Sequence, residues 1–176
     1  MSTALGLCGS LRAASTNRML LHEAGRLYGG MEEANLRLPL YDGDLEQTEG
    51  IPDTVTKLAG QIAAAPAIII ATPEYNKGIS GVLKNALDWV SRVPGPTWRN
   101  KPVAIMSSTA GRAGGERAQW ILRLCLLPFR PDVLAGPEVL VGSNESAFDD
   151  EGRLTNARNH EGLKDLMAKL RAKANG

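Results

Sequence analysis

Apolar positions along the chain alternate between two periods. Short continuous runs (residues 5–9, 67–71, 102–106 and 138–141) are separated by stretches with apolar residues three to four apart. The short runs predict strands and the longer periodic stretches predict helices. Thr16-Asn17 leads into a helix carrying Leu20, Ala24, Leu27 and Tyr28 on one face. Residues 34–40 predict a second strand, stopped by Pro39 and the turn-forming Tyr41-Asp42-Gly43-Asp44. Pro52-Asp53 opens a helix with Val55, Leu58 and Ile62 aligned. Ala67-Ile68-Ile69-Ile70-Ala71, β-branched and without a polar face, suits a central strand covered on both sides. A helix over 80–92 ends before Pro94-Gly95-Pro96, and one over 116–127 stops before Pro128 and Pro131. The last helix carries Leu163, Leu166, Met167 and Leu170.

Five strand-helix units with no repeat and no linker predict a single α/β domain over residues 1–176. The expected architecture is a doubly wound, flavodoxin-like three-layer sandwich with a five-stranded parallel sheet in the order 2-1-3-4-5. In that order a ligand binds at the carboxyl ends of the strands flanking the switch point between strands 1 and 3. The loops after strands 1, 3 and 4 should therefore carry the unusual chemistry.

They do. The first reads Gly9-Ser10-Leu11-Arg12-Ala13-Ala14-Ser15-Thr16-Asn17. Hydroxyls at Ser10, Ser15 and Thr16, the Arg12 guanidinium and the Asn17 amide gather at a helix N-terminus, where free N–H groups and the dipole favour an anion such as a phosphate monoester. The competing use of these residues is plain helix capping. The second loop, Thr72-Pro73-Glu74-Tyr75-Asn76-Lys77-Gly78, offers backbone amides to the edge of a flat heterocycle, or is a surface turn capped by Asn76. The third, Ser107-Ser108-Thr109-Ala110-Gly111-Arg112-Ala113-Gly114-Gly115, is small enough for backbone to approach a planar ligand, or is merely a flexible loop. Gly-x-x-x-x-Gly-Lys-Ser/Thr and Gly-x-Gly-x-x-Gly are both missing.

Composition narrows the chemistry. Lys plus Arg number 20 against 19 Asp plus Glu, a net charge of +1 that argues against a nucleic-acid partner or a polybasic membrane anchor. No apolar run reaches membrane-spanning length, and the start of the chain has no leader-like pattern. The two cysteines, Cys8 and Cys125, lie in apolar surroundings and read as buried, inert thiols of a cytoplasmic protein. With only His22 and His160, both outside these loops, no metal site is expected and no side-chain catalytic residue is assigned. The Asp149-Asp150-Glu151-Gly152 turn lacks the calcium-loop pattern.

Gly9-Ser10-Leu11-Arg12 with Ser15 and Asn17, then Pro73-Glu74-Tyr75-Asn76, then Leu83-Lys84-Asn85-Ala86-Leu87-Asp88-Trp89, then the glycine loop from Gly111, together resemble the NADPH-dependent FMN reductases, which include chromate, quinone and azo reductases. The resemblance implies bound FMN, with NADPH or NADH as donor. Electrons would then pass, in ping-pong fashion, to free flavin, a quinone, an azo or nitro compound, or a metal oxyanion such as chromate. It assigns Ser10, Arg12, Ser15, Thr16 and Asn17 to the FMN phosphate. Pro73, Glu74, Tyr75 and Asn76 fall to the isoalloxazine and ribityl, and Ser107, Ser108, Thr109 and Gly111 to the opposite edge. Arg112, Arg117 and Lys77 are candidates for the additional phosphate of NADPH. A homodimer through the 80–92 helix, paired into a homotetramer, is also implied, with Trp89 at the interface or in the core. The chain departs from the family pattern at Ser80, often proline, and at Lys77, which bears on acceptor access. The rivals are a flavodoxin-type electron carrier and a flavin-free regulatory module, neither of which would oxidise NADPH.

Overall fold

The computed structural model describes residues 3–176; Met1 and Ser2 lie outside the described residues. Its strands are β1 (Ala4–Cys8), β2 (Met31–Glu33), β3 (Ile68–Thr72), β4 (Pro102–Ser108), β5 (Asp132–Val133) and β6 (Val139–Val141). Its α-helices are α1 (Thr16–Tyr28), α2 (Gly43–Glu49), α3 (Asp53–Ala64), α4 (Gly81–Val90), α5 (Glu116–Leu126) and α6 (Ala157–Asn175). Every strand pair is parallel, in the order β2-β1-β3-β4-β5 with β6 also on β4.

The pleat sorts the central strands onto two cores. Ile69, Ala71, Ala104 and Met106 face α1 and α6, whereas Ile68, Ile70, Val103 and Ile105 face α3, α4 and α5. Ile68, Ile69 and Ile70 are wholly buried, which is why this run has no polar alternation. Each contributes roughly 1.5–3 kcal/mol by burial. The register pairs Cys8 with Ala71 and Thr72 with Ser107, so β1, β3 and β4 end at the same level and their following loops converge.

Three predicted elements differ. The second strand begins at Met31 rather than residue 34 because the Met31 side chain fills a notch between two glycines. A Cβ on Gly6 would lie 2.3 Å from its Sδ, and one on Gly25 2.7 Å from its Cβ. After Ala34 the chain closes into local turns, Arg37 N–H to Asn35 Oδ1 (2.9 Å) and Leu38 N–H to Leu36 C=O (3.0 Å), and leaves the ladder. The 41–44 turn instead starts α2, with Asp42 capping the N–H of Asp44 at 2.9 Å. The fifth strand position is shared: β5 pairs with Pro102 and Val103, β6 with Met106 to Ser108. Between them Gly136 and Pro137 interrupt the ladder, proline having no N–H to give.

Trp89 is fully buried within its own chain. Its Nε1–H donates to the Pro39 carbonyl at 2.8 Å, and Tyr41 meets it edge-on with ring centroids 5.0 Å apart. Its place is in the core of its own chain. Cys8 is buried as expected and Cys125 only partly so; both are free thiols. No described helix is long and apolar enough to cross a membrane.

Candidate functional site

The first loop is held from behind. Arg18, in the first turns of α1, donates from Nη1 to the Arg12 carbonyl (2.8 Å), from Nη2 to the Ser10 carbonyl (3.3 Å) and from Nε to Glu33 (2.9 Å). Arg37 donates to the Leu11 carbonyl at 3.2 Å. The C=O and N–H of a trans peptide point in opposite directions, so drawing these three carbonyls toward β2 turns the N–H groups of Leu11, Arg12 and Ala13 the other way, that of Arg12 toward Ser10 Oγ at 3.4 Å. Ser15 caps α1, accepting from the Arg18 N–H at 3.4 Å, and the Thr16 and Asn17 N–H groups have no intrahelical acceptor. The exposed Arg12 guanidinium has no ion-pair or hydrogen-bond partner among the described residues. Burial works against the Glu33 charge, but hydrogen bonds from Arg18 and His22 outweigh it and hold that carboxyl below its ordinary value. The Cys8 thiol, behind the loop, is pushed up by burial and stays protonated.

Asn17 and Asn144 join the first loop to β4. The Asn17 amide is bidentate on one residue: Nδ2 donates to the Ser108 carbonyl at 2.8 Å and Oδ1 accepts from the Ser108 N–H at 2.9 Å. It imitates a neighbouring strand where the ladder ends. Asn144, just after β6, donates to Thr16 Oγ1 (2.6 Å) and Ser108 Oγ (3.2 Å). Sequence reasoning passed over Asn144, although its place after the fifth strand was the available signal.

The second loop lies against the first because residue 9 is glycine; a Cβ there would come within 3.1 Å of Pro73 Cδ and 3.2 Å of Ser80 Oγ. Tyr75 and Gly78 exchange two backbone hydrogen bonds, and Asn76 (φ 50°) and Lys77 (φ 64°) form a tight left-handed turn between them. Asparagine suits such a position; lysine gains nothing there and costs about 1 kcal/mol. Glu74 reaches α5, where its Oε2 accepts from the Ala118 N–H at 3.3 Å and Oε1 lies 3.9 Å from Arg117. The N-cap of α5, Gly115, has no side chain, so Glu74 supplies the missing acceptor from another loop.

In the third loop the protein uses most of the small residues itself. Ser107 is fully buried, donating to the Gly114 carbonyl (2.6 Å) and accepting from Gln119 (2.8 Å). A Cβ on Gly114 would lie 2.7 Å from the Leu140 backbone and one on Gly115 2.8 Å from Ser107. These two glycines answer to packing on β4 and β6, in place of the approach to a planar ligand expected of them. Gly111, with nothing nearer than 3.9 Å, is free of that demand.

One cavity of about 570 Å³ opens where the three loops meet. Ser10, Arg12, Ser15, Thr16, Asn17, Pro73, Glu74, Tyr75, Ser108, Thr109 and Gly111 line it, eleven of the thirteen expected residues, together with Ala14, Ala110, Asn144 and Glu145. Asn76 sits outside it in the turn and Ser107 behind its wall. Its size is ordinary for a cofactor site. One end, formed by free helix N–H groups, three hydroxyls and Arg12, suits a phosphate monoester; the other, with Pro73, Tyr75 and short loop backbone, suits a flat ring. The residues present therefore fit FMN. Among the described residues no three His, Cys, Asp or Glu side chains gather to hold a metal. His22 pairs with Glu33 (2.8 Å) and His160 lies 3.4 Å from Glu23, both apart from the cavity.

Residues 2–145 match the family model described as NADPH-dependent FMN reductase. An NAD(P)H-dependent FMN reductase of Pseudomonas aeruginosa is 42% identical over 170 residues, covering 94% of this chain and 91% of that protein. A quinone reductase of Escherichia coli K12 is 40% identical over 150 residues, covering 82% and 80%. Among solved structures, a flavoenzyme NAD(P)H:(acceptor) oxidoreductase from Paracoccus denitrificans superposes with a TM-score of 0.89 at 28% identity, covering 99% and 98% of the two chains.

Proposed function

The chain belongs to the NADPH-dependent FMN reductase family and is an FMN-dependent NAD(P)H oxidoreductase; on that premise we propose how its residues divide the work. Bound FMN supplies a ring that takes two electrons from NAD(P)H and passes them to an acceptor. Arg12, Ser10, Ser15 and Thr16, with the N–H groups that Arg18 and Arg37 turn outward, hold the phosphate. Asn17 and Asn144 act one step back, fixing α1 against the end of β4. Glu74 carries no reacting proton in this reading: committed to α5, it fixes the backbone of Pro73 to Tyr75 along the ring edge. Ser108, Thr109 and Gly111 close the other edge.

Tyr75, 52% exposed at the cavity, leaves the place beside the ring open to flat donors and acceptors. Quinones and flavins are the acceptors for which the relatives are named; we extend the range to azo and nitro compounds and to chromate. Arg112, exposed and with no ion pair among the described residues, is a better candidate for the additional phosphate of NADPH than Arg117, which leans on Glu74. Two free thiols suit a reducing cytoplasm.

The reading extends to a homodimer or homotetramer, and we add a second candidate surface to the 80–92 helix, whose polar side chains are engaged within the chain. Lys84 and Asp88 pair with each other on α4, and Asn85 is tied to Pro39 and Tyr41. On α5, Trp120 (60% exposed), Ile121 and Leu124, with Leu127 just after it, form an uncovered apolar stripe, and we propose a contact there.

The observation that carries the assignment is the cavity at the ends of β1, β3 and β4 that gathers eleven of the thirteen predicted residues. The test is to load the purified protein with FMN and add NADPH without oxygen. Bleaching of the flavin spectrum is expected; a loaded protein that NADPH does not bleach would be an electron carrier.

A further inference from the structure

At the opposite end of the sheet, where the chain enters β4 and β5, lies a second cavity of about 660 Å³. Val90, Val93 and Phe129 give it apolar walls, Arg99 and Arg130 add two guanidiniums, and no Asp or Glu is among its lining residues. Neither guanidinium has a hydrogen bond or ion pair among the described residues, whereas the nearby Arg92 is committed to Glu46 at 2.9 Å. Trp98, also part of the lining, is 1% exposed and packs against Phe129 with ring centroids 5.8 Å apart.

The Trp98 Nε1–H is buried and finds no acceptor. The two other indoles in the chain differ: Trp89 donates to a carbonyl and Trp120 is 60% exposed on the surface of its own chain. A buried N–H without a partner is uncommon, and here it belongs to a residue lining the same cavity as two arginines with no counter-charge. The backbone is unusual at the lining residue Arg130 and at Asn100, which follows Arg99. Arg130 (φ 56°) and Asn100 (φ 59°) are both left-handed, and the Asn100 N–H donates to the Arg130 carbonyl at 3.0 Å.

We propose that this cavity is a binding site, separate from the flavin cavity, for a small organic anion with a flat apolar body, such as an aromatic carboxylate or sulfonate. The body packs against Val90, Val93 and Phe129, the anionic group pairs with Arg99 and Arg130, and an acceptor atom takes the Trp98 N–H. Binding is non-covalent and leaves the ligand unchanged.

The test uses 1-anilinonaphthalene-8-sulfonate on FMN-saturated protein, read by its fluorescence. Saturable binding of one probe per chain is expected. The double substitution Arg99→Gln with Arg130→Gln should weaken it at least about tenfold, and Trp98→Phe, which keeps an aromatic ring, about three- to tenfold. Neutral N-phenyl-1-naphthylamine should bind about tenfold more weakly and ignore the arginine substitutions. Melting curves and FMN content confirm that each variant is folded. Unchanged affinity in the double variant overturns the proposal, as does displacement of the probe by further FMN. So does loss of binding in Trp120→Ser alone, which would assign the probe to the apolar stripe of α5.

Discussion

Asn17 separates two readings of the first loop. As a phosphate donor it would matter only when FMN is present; as the clamp between α1 and Ser108 it matters to the empty protein. Asn17→Ala removes a donor and an acceptor at a site where Asn17 is 3% and Ser108 1% exposed, leaving the N–H and C=O of Ser108 without partners or water. Each orphaned group costs about 1–3 kcal/mol, so a total near 3 kcal/mol is expected. For a domain of this length each kcal/mol moves the melting temperature by about 2–4 °C, giving a fall of about 6–12 °C. The assay is calorimetry of FMN-free protein. Asn17→Asp adds a sign. A carboxyl in this position can replace both hydrogen bonds only while protonated, so its value in the fold is raised above that of the unfolded chain. The folded state then binds more protons, and the variant loses stability as pH rises through the carboxylate range. An FMN-free Asn17→Ala protein that melts like the wild type, with only FMN affinity reduced, would refute the clamp.

Three other outcomes follow from the geometry. Arg12→Ala should weaken FMN binding about tenfold or more by titration while leaving the melting temperature of the FMN-free protein unchanged, since the guanidinium has no partner to lose. Because the Glu33 carboxyl is held below its ordinary value, its contribution to stability is present above the carboxylate range and lost as pH falls through its folded value; Glu33→Gln should flatten that acid limb in a melting-temperature series from neutral to acid pH. For the proposed α5 contact, Trp120→Glu should lower the mass seen in light scattering at micromolar concentration with the chain still folded, because a carboxylate in the apolar centre of an interface is left unpaired; an unchanged mass would rule out that contact.

Much of this was written locally. The β-branched run 67–71 could be little other than a covered strand, and glycine and hydroxyl loops placed after strands 1, 3 and 4 pointed to the carboxyl ends where the cavity lies. Ser15 as the cap of α1 and Ser80 as the cap of α4 are spacing effects, visible because the groups that bond are three residues apart. Residues 41–44 misled for a related reason: aspartate and glycine serve a turn and a helix N-terminus alike, and the choice here came from Tyr41 docking on Trp89 and Glu46 meeting Arg92.

What the chain order could not express is which groups are already spent. Asn17 and Ser108 are 91 positions apart, Glu74 and Ala118 are 44, and Thr16 and Asn144 are 128. Hydrophobic periodicity specifies which face of each element turns inward, and that sets the sheet order and the convergence of the three loops. It carries nothing about pairings between loop side chains, because these depend on the few ångströms by which packed elements are offset, as at Gly9 against Pro73 and Met31 between Gly6 and Gly25. The sequence by itself therefore determined which three loops converge on the cavity. Only the tertiary structure decided that the Arg12 guanidinium and the hydroxyl hydrogens of Ser10, Ser15 and Thr16 stay available at the cavity, although those three oxygens already accept bonds within the fold, while Asn17, Glu74 and Ser107 hold the walls, since a donor satisfied inside the fold is no longer free for a ligand.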